Sequence, residues 1–189
     1  MVPLAQPELN VDDHKRWLIQ DIPHRICAAL TGLPMPSPWG NPALEIKPGG
    51  RPKYCNDRSV DEGRHIAMRW LIEFVGIADT RVTKEIPDRP KPKRKKEAQQ
   101  VMINRFKGGD LFDNTTTDAK ILSKLWKGCT QASSHPTIET GHPDIDPPDL
   151  AKGLVIIIAH LEKTIYAKNG YDLLDVVQKQ ENRDSICHV

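Results

Sequence analysis

The chain has 189 residues, 38% hydrophobic and 28% charged, a composition that suits one globular domain carrying arms. A formal net charge of +2 is too balanced to imply nucleic acid by itself, so any basic surface must come from local clustering. The longest apolar run, Leu154 to Ala159, is far too short to cross a bilayer and sets membrane insertion aside.

In chain order, Met1 to Val11 read as a mobile arm. A helix capped by Asp12 or Asp13 then runs to about Leu30, with Leu18, Ile22, Ile26, Ala29 and Leu30 in one stripe. Pro23 lies inside this pattern and predicts either a kink or the first turn of a second piece capped by Asp21. Gly32 and Pro34 end the helix. Thr31 to Cys55 hold six prolines and four glycines, a long loop with room for a short strand at Ala43 to Lys47.

Ser59-Val60-Asp61-Glu62 fits a capping box opening a second core helix, whose stripe is Ala67, Trp70, Leu71, Phe74, Val75 and Ala78. Asp79 to Lys96 form a solvated, basic linker within the domain. Glu97 to Phe106 predict a short helix stopped by Gly108-Gly109. Thr117 or Asp118 caps the third core helix, with Leu122, Leu125, Trp126 and Cys129 on one face.

Asp146-Pro147-Pro148-Asp149 is a start signal for the most apolar helix, expected at the centre of the fold and stopped near Lys168 by Asn169-Gly170. Tyr171 to Gln180 make a last short helix, and Glu181 to Val189 a loose tail. The whole reads as an all-α bundle of four to five helices with long proline-rich loops, one domain over residues 12–180.

Cys27, Cys55, Cys129 and Cys187 are widely spaced and form no Cys-x-x-Cys pair. With no signal peptide in evidence, free thiols in a reducing cytoplasm are expected.

The basic run Lys91, Lys93, Arg94, Lys95 and Lys96 is the best candidate for nucleic-acid contact, RNA or DNA, because cations held near phosphates release counterions. Arg105 and Lys107 extend it. Its plainer reading is a solvated loop. Trp39, between Pro38 and Gly40, is a candidate partner-binding residue if it faces solvent; otherwise it folds back over the bundle. Trp17, Trp70 and Trp126 fall on or beside core stripes and read as packing.

His135, His142, Asp144, Asp146 and His160 are ligand types, but their separations are irregular, so no metal is expected. His160 sits among apolar residues and reads as a satisfied core histidine. Glu45-Ile46-Lys47 matches the end of a magnesium nuclease motif, without the sheet that motif needs. There is no glycine loop for phosphates, no nucleophile elbow and no dinucleotide fingerprint, so no cofactor is expected.

Two segments carry chemistry of another kind. Arg183-Asp184-Ser185-Ile186-Cys187-His188 resembles the Arg-x4–6-His element of the HEPN ribonucleases, and Arg58 to His65 has the wider spacing. Trp126 to His135, a small-residue helix end closed by His, resembles the third helix of some HEPN-like domains, with Lys124 and Lys127 nearby in place of Arg. The resemblance implies metal-independent RNA cleavage by Arg and His at a homodimer interface. His135, or Arg183 with His188, would carry it, His135 as general base. The plainer reading of Cys129 to Pro136 is a capped helix C-terminus.

Two expectations of function follow. The leading one is a non-catalytic helical module that binds a protein or nucleic acid. The alternative is a HEPN-like ribonuclease of a toxin or phage-defence type.

Overall fold

The computed structural model describes residues 9–39, 58–77, 102–134 and 145–186, of which 58–61, 131–134 and 181–186 by backbone alone. It is all-α, with five helical rods and no strand among the described residues. The first rod joins α1 (Val11–Arg16), a π-turn (Trp17–Asp21) and α2 (Ile22–Leu30). The others are α3 (Arg58–Phe74), α4 (Thr117–Ser134), α5 (Pro147–Leu161) and α6 (Leu173–Ile186).

The cap of the first rod is Asn10, not Asp12 or Asp13. Asn10 Oδ1 accepts the Asp13 amide at 2.8 Å, and Asn10 Nδ2 donates to Asp13 Oδ2 at 2.7 Å. The reciprocal pair satisfies an orphan donor and leaves both aspartates in the first turn, where the helix dipole favours them. Leu9, at the end of the expected arm, already packs against the core.

Pro23 lies in the first turn of a second piece, α2, with Asp21 at its cap position, but the Asp21 side chain makes no capping bond. Proline has no N–H, and its ring clashes with the carbonyl four residues back. The chain widens instead: the Ile22 amide reaches back five residues to the Trp17 carbonyl. That leaves the Leu18 carbonyl without a helical donor, because its usual partner Ile22 is engaged and the next residue is Pro23. The fully buried Tyr166 hydroxyl fills the gap, donating to Leu18 O at 2.9 Å. Tyr166 ends a second π-turn, Glu162–Tyr166, which continues α5. Burial pushes the Tyr166 hydroxyl far above the ordinary phenol pKa, so it stays a donor.

α3 lies between α2 and α4, while α5 touches all three and α6 lies on α2. Being flanked on two sides, α3 buries Met68 and Ile72 in addition to Ala67, Leu71, Phe74 and Val75. Arg64, also buried, donates from Nε to the Thr31 carbonyl at 2.8 Å, placing a cation at the negative end of α2.

Asp146 occupies the cap position of α5, but its side chain makes no capping bond. Pro147 and Pro148 remove two of the first amides. The remaining one, Asp149 N–H, donates to the Asp146 carbonyl at 2.9 Å. α4 is capped one residue earlier than the sequence implies, by Thr116 Oγ1, which accepts the Ala119 amide at 3.1 Å.

The rod begun by α5 ends where expected. Gly170, at φ 74°, lets the Tyr171 amide return to Tyr166 O and its own amide to Ala167 O. α6 runs on to Ile186, past Gln180, because nothing from Tyr171 onward interrupts it: that stretch has no Pro or Gly.

Within 97–106 the described part is not an α-helix. Met102 and Phe106 are extended and enclose a single 3-10 turn, Ile103–Arg105. The turn buries Ile103 and Phe106, three residues apart, and Gly109 then passes so close to the Ile103 carbonyl that no Cβ fits. Lys168 Nζ and Asn169 Nδ2 donate to the Gly108 and Lys107 carbonyls at 2.9 and 3.1 Å, fastening this segment to the end of the α5 rod.

Candidate functional site

Of Trp39, the basic run, His135, Arg183 and His188, only Trp39 has a described side chain. It is partly buried and packs against the core, and its amide donates to Pro36 O at 2.9 Å. His135, His188, Lys91, Lys93, Arg94, Lys95 and Lys96 lie outside the described residues, as do His142, Asp144 and Glu45 to Lys47. Arg183 lies in α6, described by backbone alone.

His160 is partly buried, with Nε2 donating to the Asp110 carbonyl at 2.8 Å and its ring 4.8 Å from Phe112. It therefore ties the 102–113 segment to α5. Among the described residues no three His, Cys, Asp or Glu side chains gather as a metal site.

Burial lowers the His160 pKa from its ordinary value, opposed by the Asp110 carbonyl and carboxylate and reinforced by Lys163. The charged ring is thus disfavoured in the folded chain. As pH falls below about 6.5 the unfolded chain takes up a proton first, and stability declines until the lowered folded pKa is passed. Above that window His160 contributes no pH dependence. Urea midpoints at pH 7.5 and 5.5 are expected to differ less in His160→Gln than in wild type.

Three surface features emerge that the sequence reading did not assemble. The first is an aromatic stack. Trp17 and Trp70 lie 5.7 Å apart and 12° from parallel, Trp70 and Phe74 5.1 Å and 9°. Phe106 meets Phe74 edge-on at 5.6 Å. Both tryptophans are partly exposed, and the Arg25 guanidinium sits 5.6 Å from the Trp70 centroid. Such pairs contribute about 0.5–1.5 kcal/mol each beyond their burial, so the stack first of all joins the π-turn of the first rod, α3 and the 103–106 segment.

The second is a polar knot between α3 and α4. Glu73 Oε1 accepts from both Arg69 Nε and Trp126 Nε1 at 2.9 Å, while Arg69 lies over the Trp126 ring. Cys129, buried close by, has its thiol pushed up to about 12 by desolvation, against a smaller opposing effect of Arg69. It is an inert core thiol at neutral pH, not a nucleophile.

The third is the outer face of α4. Lys120, Lys124 and Lys127 are all exposed, while Leu122, Leu125 and Cys129 on the opposite side are buried. Their spacing of four and three residues sets them within about 60° of one another, along about 10 Å of helix. Asp118 is the single acid of α4, about 160° round the helix from Lys120. The signal was present as an i, i+4, i+7 pattern of lysines.

No protein family, curated protein or solved structure matches this chain. Function therefore rests on these surfaces. No described helix is long and apolar enough to cross a membrane.

Proposed function

We propose that the protein is a non-catalytic helical module that binds nucleic acid, with the run Lys91, Lys93, Arg94, Lys95 and Lys96 as a principal contact. One observation carries this reading: the segment holding the run is anchored to the bundle on both sides. Ile77 is 2% exposed upstream, and Ile103 and Phe106 are 0% and 3% exposed downstream. Five cations fall within six residues, with no acid among them, in the sequence between these two buried flanks. Lys107, exposed, follows at the anchor. Such a run of cations neutralises phosphates and releases counterions without base readout. The wide spacing of the four cysteines, with no Cys-x-x-Cys pair, supports a reducing, cytoplasmic setting.

Labelled RNA and duplex DNA, titrated in EDTA across a salt series, test this. Affinity is expected to fall steeply between about 50 and 200 mM salt. Replacing the five cations with Gln should flatten the log–log slope on duplex DNA by up to about 4.5. RNA cleavage in EDTA, abolished by His135→Ala or His188→Ala, would replace this reading with the HEPN-like ribonuclease and its homodimer. Binding of neither nucleic acid would leave a protein as the partner.

A further inference from the structure

We infer that Asn169–Gly170 is a self-modification site. There the Gly170 nitrogen converts the Asn169 side-chain amide to a carboxylate and so unfastens the 102–109 segment from the end of the α5 rod. The fold holds this reaction back. Neither the reaction nor its consequence depends on nucleic-acid binding.

Two separate demands of the fold put these residues side by side. The rod ends in a 3-10 turn, Ala167–Asn169, closed by Gly170 at φ 74°, where any side chain is strained. Asn169 is needed one position earlier, because its Nδ2 donates both to Ile165 O at 2.7 Å and to Lys107 O at 3.1 Å. No other asparagine of the chain precedes a glycine. Glycine is the neighbour that least obstructs attack on an asparagine side chain, having no Cβ and the freest backbone.

The chemistry uses only this chain and water. The Gly170 N–H gives its proton to hydroxide, and the nitrogen attacks Asn169 Cγ. An N–Cγ bond forms, the Cγ–Nδ2 bond breaks, and Nδ2 leaves as ammonia after taking a proton from water. Water then opens the cyclic imide at either carbonyl, giving aspartate or isoaspartate. Gly170 is exposed and Asn169 partly exposed, so water reaches the site. A Cβ at Gly170 would meet nothing within 4 Å, so packing does not block the approach. Hydrogen bonding does: Nδ2 is committed to two carbonyls, and the Gly170 amide donates to Ala167 O at 3.3 Å. Attack therefore requires the cap and the Lys107 tie to open together.

The product cannot refasten the segment. A carboxylate has no N–H, so its oxygen would face the Ile165 and Lys107 carbonyls, acceptor against acceptor. Isoaspartate also lengthens the backbone, which puts the Gly170 N–H to Ala167 O and Tyr171 N–H to Tyr166 O bonds out of register. Lys168 Nζ still donates to Gly108 O at 2.9 Å, and Ile103 and Phe106 remain as apolar anchors. The outcome is a loosened segment, not a lost one.

The test is ageing of the full chain in mildly alkaline buffer, folded and in unfolding urea, with the Asn169 peptide followed by mass spectrometry. Wild type is compared with Lys168→Gln, which removes the neighbouring tie and leaves the Asn-Gly pair intact. Asn169 is expected to convert at least about tenfold more slowly in the folded chain than in urea, and faster in folded Lys168→Gln than in folded wild type. Asn169→Asp, the product made genetically, should melt about 2–8 °C below wild type. Its Phe106 and Gly109 amides, bonded to Ile103 O and Phe106 O, should exchange hydrogen faster. Wild type aged while folded should show the same faster exchange in its converted fraction, so the claim stays testable if Asn169→Asp does not fold.

Any of three results would overturn this. Equal conversion rates folded and in urea would remove the protection. Absence of conversion at Asn169 in urea would remove the site. Wild-type exchange at Phe106 and Gly109 in the converted protein would remove the unfastening.

Discussion

Gly109→Ala is expected to be among the most damaging single-atom additions the described fold can suffer. A Cβ at this position would run into the backbone carbonyl of Ile103, and the neighbouring Ile165 methyl closes the other side. A flexible side chain could swing away, but a backbone carbonyl in a 3-10 turn cannot move without drawing its own residue with it. Ile103 is fully buried, so the shift would lift it out of the core together with Phe106.

Overpacking of this kind costs about 1–3 kcal/mol. In a chain of this length that corresponds to a fall of about 2–4 °C in Tm per kcal/mol. The substitution also loosens the downstream anchor of the basic run, so nucleic-acid affinity should drop alongside stability even though no cation is removed. Thermal melts and anisotropy on the same preparation check both halves. An unchanged Tm would show that the turn does not hold Ile103 against Gly109 as described.

Tyr166→Phe is expected to destabilise by about 1–3 kcal/mol, much for the loss of one oxygen. The cost comes less from the lost bond than from what it leaves behind. The Leu18 carbonyl is buried, and the π-turn created by Pro23 gives it no backbone donor. This makes a specific coupling measurable. Pro23→Ala restores an amide at the position that lacks one and removes the clash that widened the helix. In that background the Tyr166 hydroxyl should matter less, so the double-mutant cycle is expected to show a coupling of at least about 0.5 kcal/mol. Additive effects, measured by urea unfolding of the four proteins, would break the link drawn between proline and hydroxyl.

These two sites also show where sequence legibility stops. The amphipathic stripes of Leu18, Ile22 and Ile26, and of Leu122, Leu125 and Cys129, were readable because helix periodicity is local, and they were enough for the all-α bundle. The stop at Gly170 was readable for the same reason.

The π-turn was not readable. Pro23 signals that the ordinary ladder fails, but which distortion replaces it depends on a hydroxyl 148 residues away. The segment before Gly108 was expected to be helical. Ile103 and Phe106 reach the core through a 3-10 turn instead, since three residues are one full turn of that tighter helix. Cap positions slipped by one to three residues because Asn10 and Thr116 competed with the neighbouring acids for the same free amides.

The candidate surfaces divide in the same way. The basic run was visible as a string of letters, whereas the α4 stripe is visible only after the helix is known to expose that face. In the sequence Lys124 and Lys127 stand out only as basic residues near the Trp126 to His135 segment. The Trp17–Trp70 stack brings together residues 53 positions apart and has no local signature.

The most direct measurement is the salt dependence of wild-type binding to duplex DNA in EDTA. Counterion release by several lysines predicts a linear fall of log affinity with log salt, with a slope steeper than about −4 and intact nucleic acid throughout. A flat dependence, absence of binding at about 50 mM salt, or cleavage of the RNA control would contradict a phosphate-binding, non-catalytic module.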